Sequence, residues 1–337
     1  MSTTEILSPT HQLTYKLPTP EQLEAQDSTR IKYTLCKLCA GGHVERARDL
    51  LQSPVGVPLV QQLYLPMVVA ATAGRVDVVR MLVDEFGGGA WLAEALDAVC
   101  RGEGTDNELG ESEESAREVA RQLMAFPCCT AGDRDWALRG ACQGNQRALI
   151  DWLIKDCGVV PGPKHLGRAC AAGHWDLALY LLGDCGLASD KEAVNCGAVF
   201  AIEGGKRVIA RSLVRDYGAD CFEGMLMAAG RSGLYDEAAW LLAEHPVCAD
   251  GMANCLVSAC CMGHWAFVSR FIADFMGVGA AAQALRAAHY PVDESPTLDS
   301  LVECAMRQYV SPALNPVGQA TRAVKLTAAM SVNTYSK

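Results

Sequence analysis

The sequence has no apolar run that is both long and uninterrupted, which argues against a membrane span and for a soluble protein. Charge is sparse, at 20% of residues against 50% hydrophobic, so core material is ample and disorder is excluded for most of the length. Positive charge is in deficit. The 29 Lys and Arg face 39 Asp and Glu, a net −10 over 337 residues with an isoelectric point near 5.2, which disfavours a general nucleic-acid binder. The opening stretch, with Glu5, Lys16, Pro9, Pro18 and Pro20, lacks the basic start and apolar core of a secretory leader. The expected location is a reducing one, cytoplasmic or else nuclear or inside a virion, and not secreted.

Signatures of chemistry are missing as well. There is no GxSxG, HExxH, P-loop or paired-glycine dinucleotide motif. Gly87-Gly88-Gly89 is followed by no Lys-Ser or Lys-Thr and reads as a helix terminator. No catalytic residue, metal or cofactor is therefore expected. Cysteine is the exception to scarcity, with sixteen, but disulfide frameworks belong to short secreted chains. Cys36 and Cys39 have zinc-ligand spacing without a second pair, and Cys128-Cys129 and Cys260-Cys261 are isolated doublets. Cys157 and Cys185 sit near expected helix ends, where the helix dipole raises a thiol pKa. A cysteine-based redox or zinc protein stays open as the alternative from another class.

What the chain does have is a period of about thirty residues. Glycines at 42, 74, 144, 173, 205, 233 and 263 share one register. Seven residues before them stand Leu35, Met67, Ala137, Leu166, Ala198, Leu226 and Leu256, and four before stand apolar or glycine residues. Five, eight and nine residues after them, all 21 positions are apolar, from Ala47, Leu50 and Leu51 to Val268, Phe271 and Ile272. Offsets of three and four mark one face of a helix. The spacing thus predicts units of two short antiparallel helices joined at the glycine. Cys39, Cys170 and Cys260 stand three before the turn, where Ala71 and Ala141 stand in other units, so they read as small core residues.

The interval of 70 between Gly74 and Gly144 hides a further unit. Ala95, Ala98, Val99 and Gly102 supply its first helix, and Ala120, Leu123 and Met124 its second, across an insertion from Glu103 to Ser115. A ninth, degenerate unit is expected from Leu285 and Ala288 followed by Leu298, Leu301 and Val302, as a C-terminal cap.

The turns Gly42-His43, Gly173-His174 and Gly263-His264, the pair Leu181-Leu182 and the sequence Tyr217-Gly218-Ala219-Asp220 resemble ankyrin repeats over about residues 31–309. A complete Thr-Pro-Leu-His start is nowhere present, Pro66 being the one matching proline. The style of Leu138-Arg139-Gly140-Ala141-Cys142 is similar to divergent ankyrin proteins of large DNA viruses and protists. The resemblance implies an all-α, ankyrin-like solenoid of about eight to nine repeats that serves as a non-catalytic protein-interaction scaffold or adaptor, with no nucleic acid and no membrane span.

Candidate partner-binding residues follow. The insertion carries Glu103, Asp106, Glu108, Glu111, Glu113 and Glu114 with no Lys or Arg, so it reads as a solvated loop or as an acidic finger for a basic protein surface. His174 with Trp175 and His264 with Trp265 follow equivalent glycines. The tryptophans read as half-buried contacts between repeats or as interface anchors. Residues 1–30 and 310–337 read as extended arms, the latter basic, with Arg322, Lys325 and Lys337. A structural subunit of a large assembly, tethered by those arms, is the alternative to an adaptor.

Overall fold

A computed structural model describes residues 28–102, 113–290, 292 and 297–310. Among the described residues the protein is all-helical, with 18 α-helices and no strand. The described residues fall into two compact units, 28–99 with 113–133, and 100–102 with 134–290, 292 and 297–310.

In the first unit, α1 (Ser28–Ala40) and α2 (Val44–Gln52) form a pair, as do α3 (Tyr64–Thr72) and α4 (Val76–Phe86). Helix α1 packs on α3 and α2 on α4. Next come α5 (Leu92–Arg101) and α6 (Glu113–Met124), the latter packed on α4. In the second unit the pairs are α7 (Ala131–Gln143) and α8 (Arg147–Lys155), α9 (Pro163–Ala172) and α10 (Trp175–Gly183), and α11 (Lys191–Glu203) and α12 (Arg207–Tyr217). They are followed by α13 (Phe222–Ser232) and α14 (Tyr235–Glu244), α15 (Ala249–Met262) and α16 (Trp265–Phe271), and α17 (Gly277–Ala287) and α18 (Leu298–Val310). First helices pack on first helices along α9, α11, α13, α15 and α17, and α14, α16 and α18 pack likewise.

Each pair turns on one residue with positive φ, at Gly42, Gly74, Gly102, Asn145, Gly173, Gly205, Gly233 and Gly263. The fourth is a correction, because the expected turn residue was Gly144. Asn145 holds φ at 56°, a conformation Asn tolerates, and Gly144 has a different task. A Cβ on Gly144 would stand 2.2 Å from the carbonyl oxygen of Arg101, so the glycine is there for close backbone approach. Gly204 meets Ala171 in the same way, at 2.1 Å. Counted from the positive-φ residues, the intervals are 32, 28, 43, 28, 32, 28 and 30.

Burial follows this corrected register. Residues seven and four before each of the seven regular turns are buried without exception, as are those five and eight after. The ninth position after is buried at Leu51, Leu182 and Ile272 and half-buried at Val83, Ile154, Val214 and Leu242, so it marks the edge of the stripe. The shift also places Cys142 three before its turn, beside Cys39, Cys170 and Cys260, all buried.

Other boundaries move. Helix α1 starts at Ser28 and α18 runs to Val310, so both helices take in residues expected in the arms; 1–27 and 311–337 lie outside the described residues. The insertion is shorter than expected, since α6 already contains Glu113, Glu114 and Ser115. In the last pair the buried helix residues are Ala281, Ala282, Ala284 and Leu285, then Leu301, Cys304 and Ala305, whereas Ala288, Leu298 and Val302 are half-buried. Its turn residue is His289, at φ 63°. Trp265–Ala287 is long and apolar enough by composition to cross a membrane, contrary to the reading of short runs. A π-helical segment, Ile272–Met276, joins α16 to α17 inside that run, and Phe271, Ile272, Ala281 and Leu285 are buried within the unit.

The register correction has a stability signature. Gly144→Ala is expected to lower unfolding stability by about 1–3 kcal/mol through backbone displacement. Gly183→Ala, where a Cβ meets nothing within 4 Å and φ is not positive, is expected to raise it by about 0.4–1 kcal/mol. Urea denaturation midpoints check both, and a neutral Gly144→Ala would contradict the close approach to Arg101.

Candidate partner-binding surface

At three of the turns the side chain of the following residue reaches back toward the preceding pair. Arg75 Nε donates to the Ala40 carbonyl at 3.1 Å. His174 Nε2 lies 3.0 Å from the Gln143 carbonyl and His264 Nε2 lies 2.9 Å from the Arg231 carbonyl. Those carbonyls end first helices and lack an intrahelical donor, so the side chains satisfy otherwise orphaned acceptors. His174 and His264 are thereby tied to the fold. Trp175 stacks edge-on against Tyr217 with ring centroids 6.4 Å apart, and both Trp175 and Trp265 are half-buried. His174 and Trp175 open α10, and His264 and Trp265 open α16. Of the acidic set, Glu103, Asp106, Glu108 and Glu111 lie outside the described residues, and Glu113 and Glu114 belong to the start of α6.

Second helices are tied to each other by paired polar groups. Arg48 on α2 meets Glu85 on α4 at 2.8 Å, Arg207 on α12 meets Glu237 on α14 at 3.0 Å, and Arg211 meets Glu244 at 3.0 Å. Between α8 and α10, Tyr180 donates to Asp151 at 2.8 Å while the Arg147 guanidinium lies 3.2 Å from the Tyr180 ring centroid. Burial first, and then the Asp151 carboxylate, push the Tyr180 hydroxyl well above its ordinary pKa.

The first helices of the second unit carry a different row. Arg139 pairs with Asp135 one turn earlier on α7, and its guanidinium lies 4.7 Å from the Trp136 ring centroid. Asp135 Oδ1 faces His165 Nε2 of α9 at 3.2 Å. His165 Nδ1 accepts from the Gly162 N–H at 2.9 Å, which assigns the ring proton to Nε2 and makes the neutral imidazole fully satisfied. Arg168, one turn further along α9, donates to Gln143 Oε1 at 3.4 Å. Glu203 of α11 pairs with Arg231 of α13. Sequence periodicity missed this row because each member is an isolated charge between apolar positions. Its signal is the recurrence of Arg139, Arg168 and Arg231 on three first helices.

All sixteen cysteines are free, eight of them buried. Burial pushes the Cys36 thiol to about 11 and those of Cys39, Cys170 and Cys255 to about 12. Cys185 is raised too, by burial ahead of any charge. Among the described residues no group of three His, Cys, Asp or Glu is arranged to hold a metal ion. Comparison of the chain with family models, with curated proteins and with solved structures returns no match.

Two measurements follow from these environments. Burial lowers the His165 pKa in the folded protein despite the Asp135 carboxylate, while the unfolded chain binds a proton near pH 6.5. Its contribution is therefore complete above about pH 6.5 and is lost as pH falls through the folded-state value, by at most about 1.4 kcal/mol per pH unit. A His165→Asn chain melting at several pH values should show a shallower acid slope than the parent. Thiol titration of the native chain should label the exposed Cys128 and Cys248 first and leave the eight buried thiols unreactive until unfolding.

Proposed function

We propose that the chain is a non-catalytic protein-interaction module built as an ankyrin-like solenoid of eight to nine two-helix repeats. The observation that carries the reading is the recurring burial register. First helix packs on first helix, and the same offsets from each positive-φ turn are buried in every regular pair. A two-helix unit of this size cannot bury its own apolar face, so neighbouring units do so for one another and leave a long side of the first helices to solvent. The first helices of the second unit carry Trp136, Arg139, Arg168, Met227 and Arg231, all partly exposed and of residue types enriched among interface anchors. Function then resides in what the exposed side chains recognise. No catalytic group, metal or cofactor enters the proposal, and the free thiols suit a reducing, cytoplasmic or nuclear setting.

The test is crosslinking of the full chain in its native source followed by mass spectrometry. A partner recovered in stoichiometric amount, with crosslinks clustering on α7, α9, α11 and α13, is the expected result. Recovery of the chain alone, or turnover of a small-molecule substrate by the purified chain, overturns the reading.

A further inference from the structure

Of the two cysteine doublets, one is open to solvent. Cys260 is buried and Cys261 half-buried on α15, whereas Cys128 is exposed and Cys129 half-buried in the connection between α6 and α7. The backbone on both sides of this second doublet is fixed. Before it, Phe126 is buried, and the Cys129 N–H donates to the Phe126 carbonyl at 3.0 Å, closing a tight turn through Pro127 and Cys128. After it, Thr130 and Asp133 exchange hydrogen bonds at the start of α7, the Thr130 N–H donating to Asp133 Oδ2 at 2.6 Å and the Asp133 N–H to Thr130 Oγ1 at 3.2 Å. Cys129 Sγ lies 3.8 Å from the Thr130 carbonyl oxygen. Cys128 Sγ faces Gly89, where an added Cβ would stand 3.3 Å away, so the glycine leaves that sulfur room. Among the described residues no peptide bond is cis, so the two Cα atoms stand about 3.8 Å apart, short of the roughly 4.4–6.8 Å that disulfides span. A direct S–S bond therefore requires the anchored turn to distort. A thiophilic atom set between the sulfurs lengthens the bridge and removes that demand, and once one sulfur holds it the other is present at high effective concentration.

We propose that Cys128 and Cys129 form a chelating site for a trivalent organic arsenical. Each thiol displaces one hydroxyl of an arsonous acid: two S–As bonds form, two As–O bonds break, and the thiol protons leave with the hydroxyls as two waters. Arsenic stays trivalent, so the step needs no oxidant or reductant. The number of ligands decides the class of guest. Zinc takes four, and among the described residues no group of three His, Cys, Asp or Glu is arranged to hold a metal ion. An arsonous acid keeps its carbon substituent and has two positions to exchange, which two adjacent thiols fill. Anchoring of the turn on both sides of the doublet lowers the ordering cost of closing the chelate. The site is independent of the reading of the chain as a protein-interaction module and adds a small-molecule ligand to it.

The test uses the full reduced chain and phenylarsine oxide, which hydrates to the arsonous acid, read by native mass spectrometry in the presence of excess glutathione. One phenylarsenic group retained per chain is expected, and dithiothreitol, a competing dithiol, should strip it. Cys128→Ser and Cys129→Ser should each weaken retention about a hundredfold or more, because a single S–As bond is left to exchange with glutathione. Cys248→Ser, which removes the other exposed thiol, should leave retention within about twofold of the parent. Cys128 is exposed, so Cys128→Ser should melt with the parent and carries the test even where Cys129→Ser is destabilised. No adduct on the parent under glutathione, or equal retention by the parent and Cys128→Ser, overturns the proposal.

Discussion

Each helix pair turns on one residue with positive φ, and from that local reversal of backbone hand the rest of the packing follows. Values run from 56° at Asn145 to 93° at Gly173, a region where most side chains clash with their own backbone. In the seven regular pairs the second helix begins two residues after that position. The reversal also positions the residue after the turn, which is Arg75, His174 or His264, against a terminal carbonyl of the pair before. One dihedral per pair thereby couples local geometry to contact between pairs. Small residues complete the constraint, because backbone at Gly144 and Gly204 touches the preceding first helix directly.

The polar groups divide along the same two sides. Second helices exchange complementary charges, as in Arg48 with Glu85 and Arg207 with Glu237. On the first helices of the second unit Arg139 pairs with Asp135 and Arg231 with Glu203, while Arg168 bonds to the amide of Gln143. At Cys39, Cys142, Cys170 and Cys260 the cysteines fill the space of an alanine, and burial keeps them protonated and inert.

Periodicity alone carried the reading a long way, because burial at fixed offsets from a turn is a one-dimensional property of the chain. It located every regular helix pair, the interrupted pair around Gly102 and the last pair before Val310, and it assigned the buried cysteines to packing. It erred where two local features compete. At Gly144-Asn145 either residue suits a left-handed turn, and only the close approach of Arg101 decides which one makes it. At the last pair, residues 298, 301 and 302 and residues 301, 304 and 305 have the same spacing, and packing of α18 on α15, α16 and α17 buries the second set.

The pairing of charged side chains was the part that spacing left undetermined. The acidic insertion and the Gly-His turns stand out in a linear reading because they are contiguous. Arg139, Arg168 and Arg231 are separated by 29 and 63 residues and carry no local mark. Hydrophobic period is decided within a few turns of one helix, so the amino-acid sequence specifies the helices and their buried faces. Which charges meet, which are compensated and which are left over depends on contacts between residues about one repeat apart or more, and those exist only once the helices have packed.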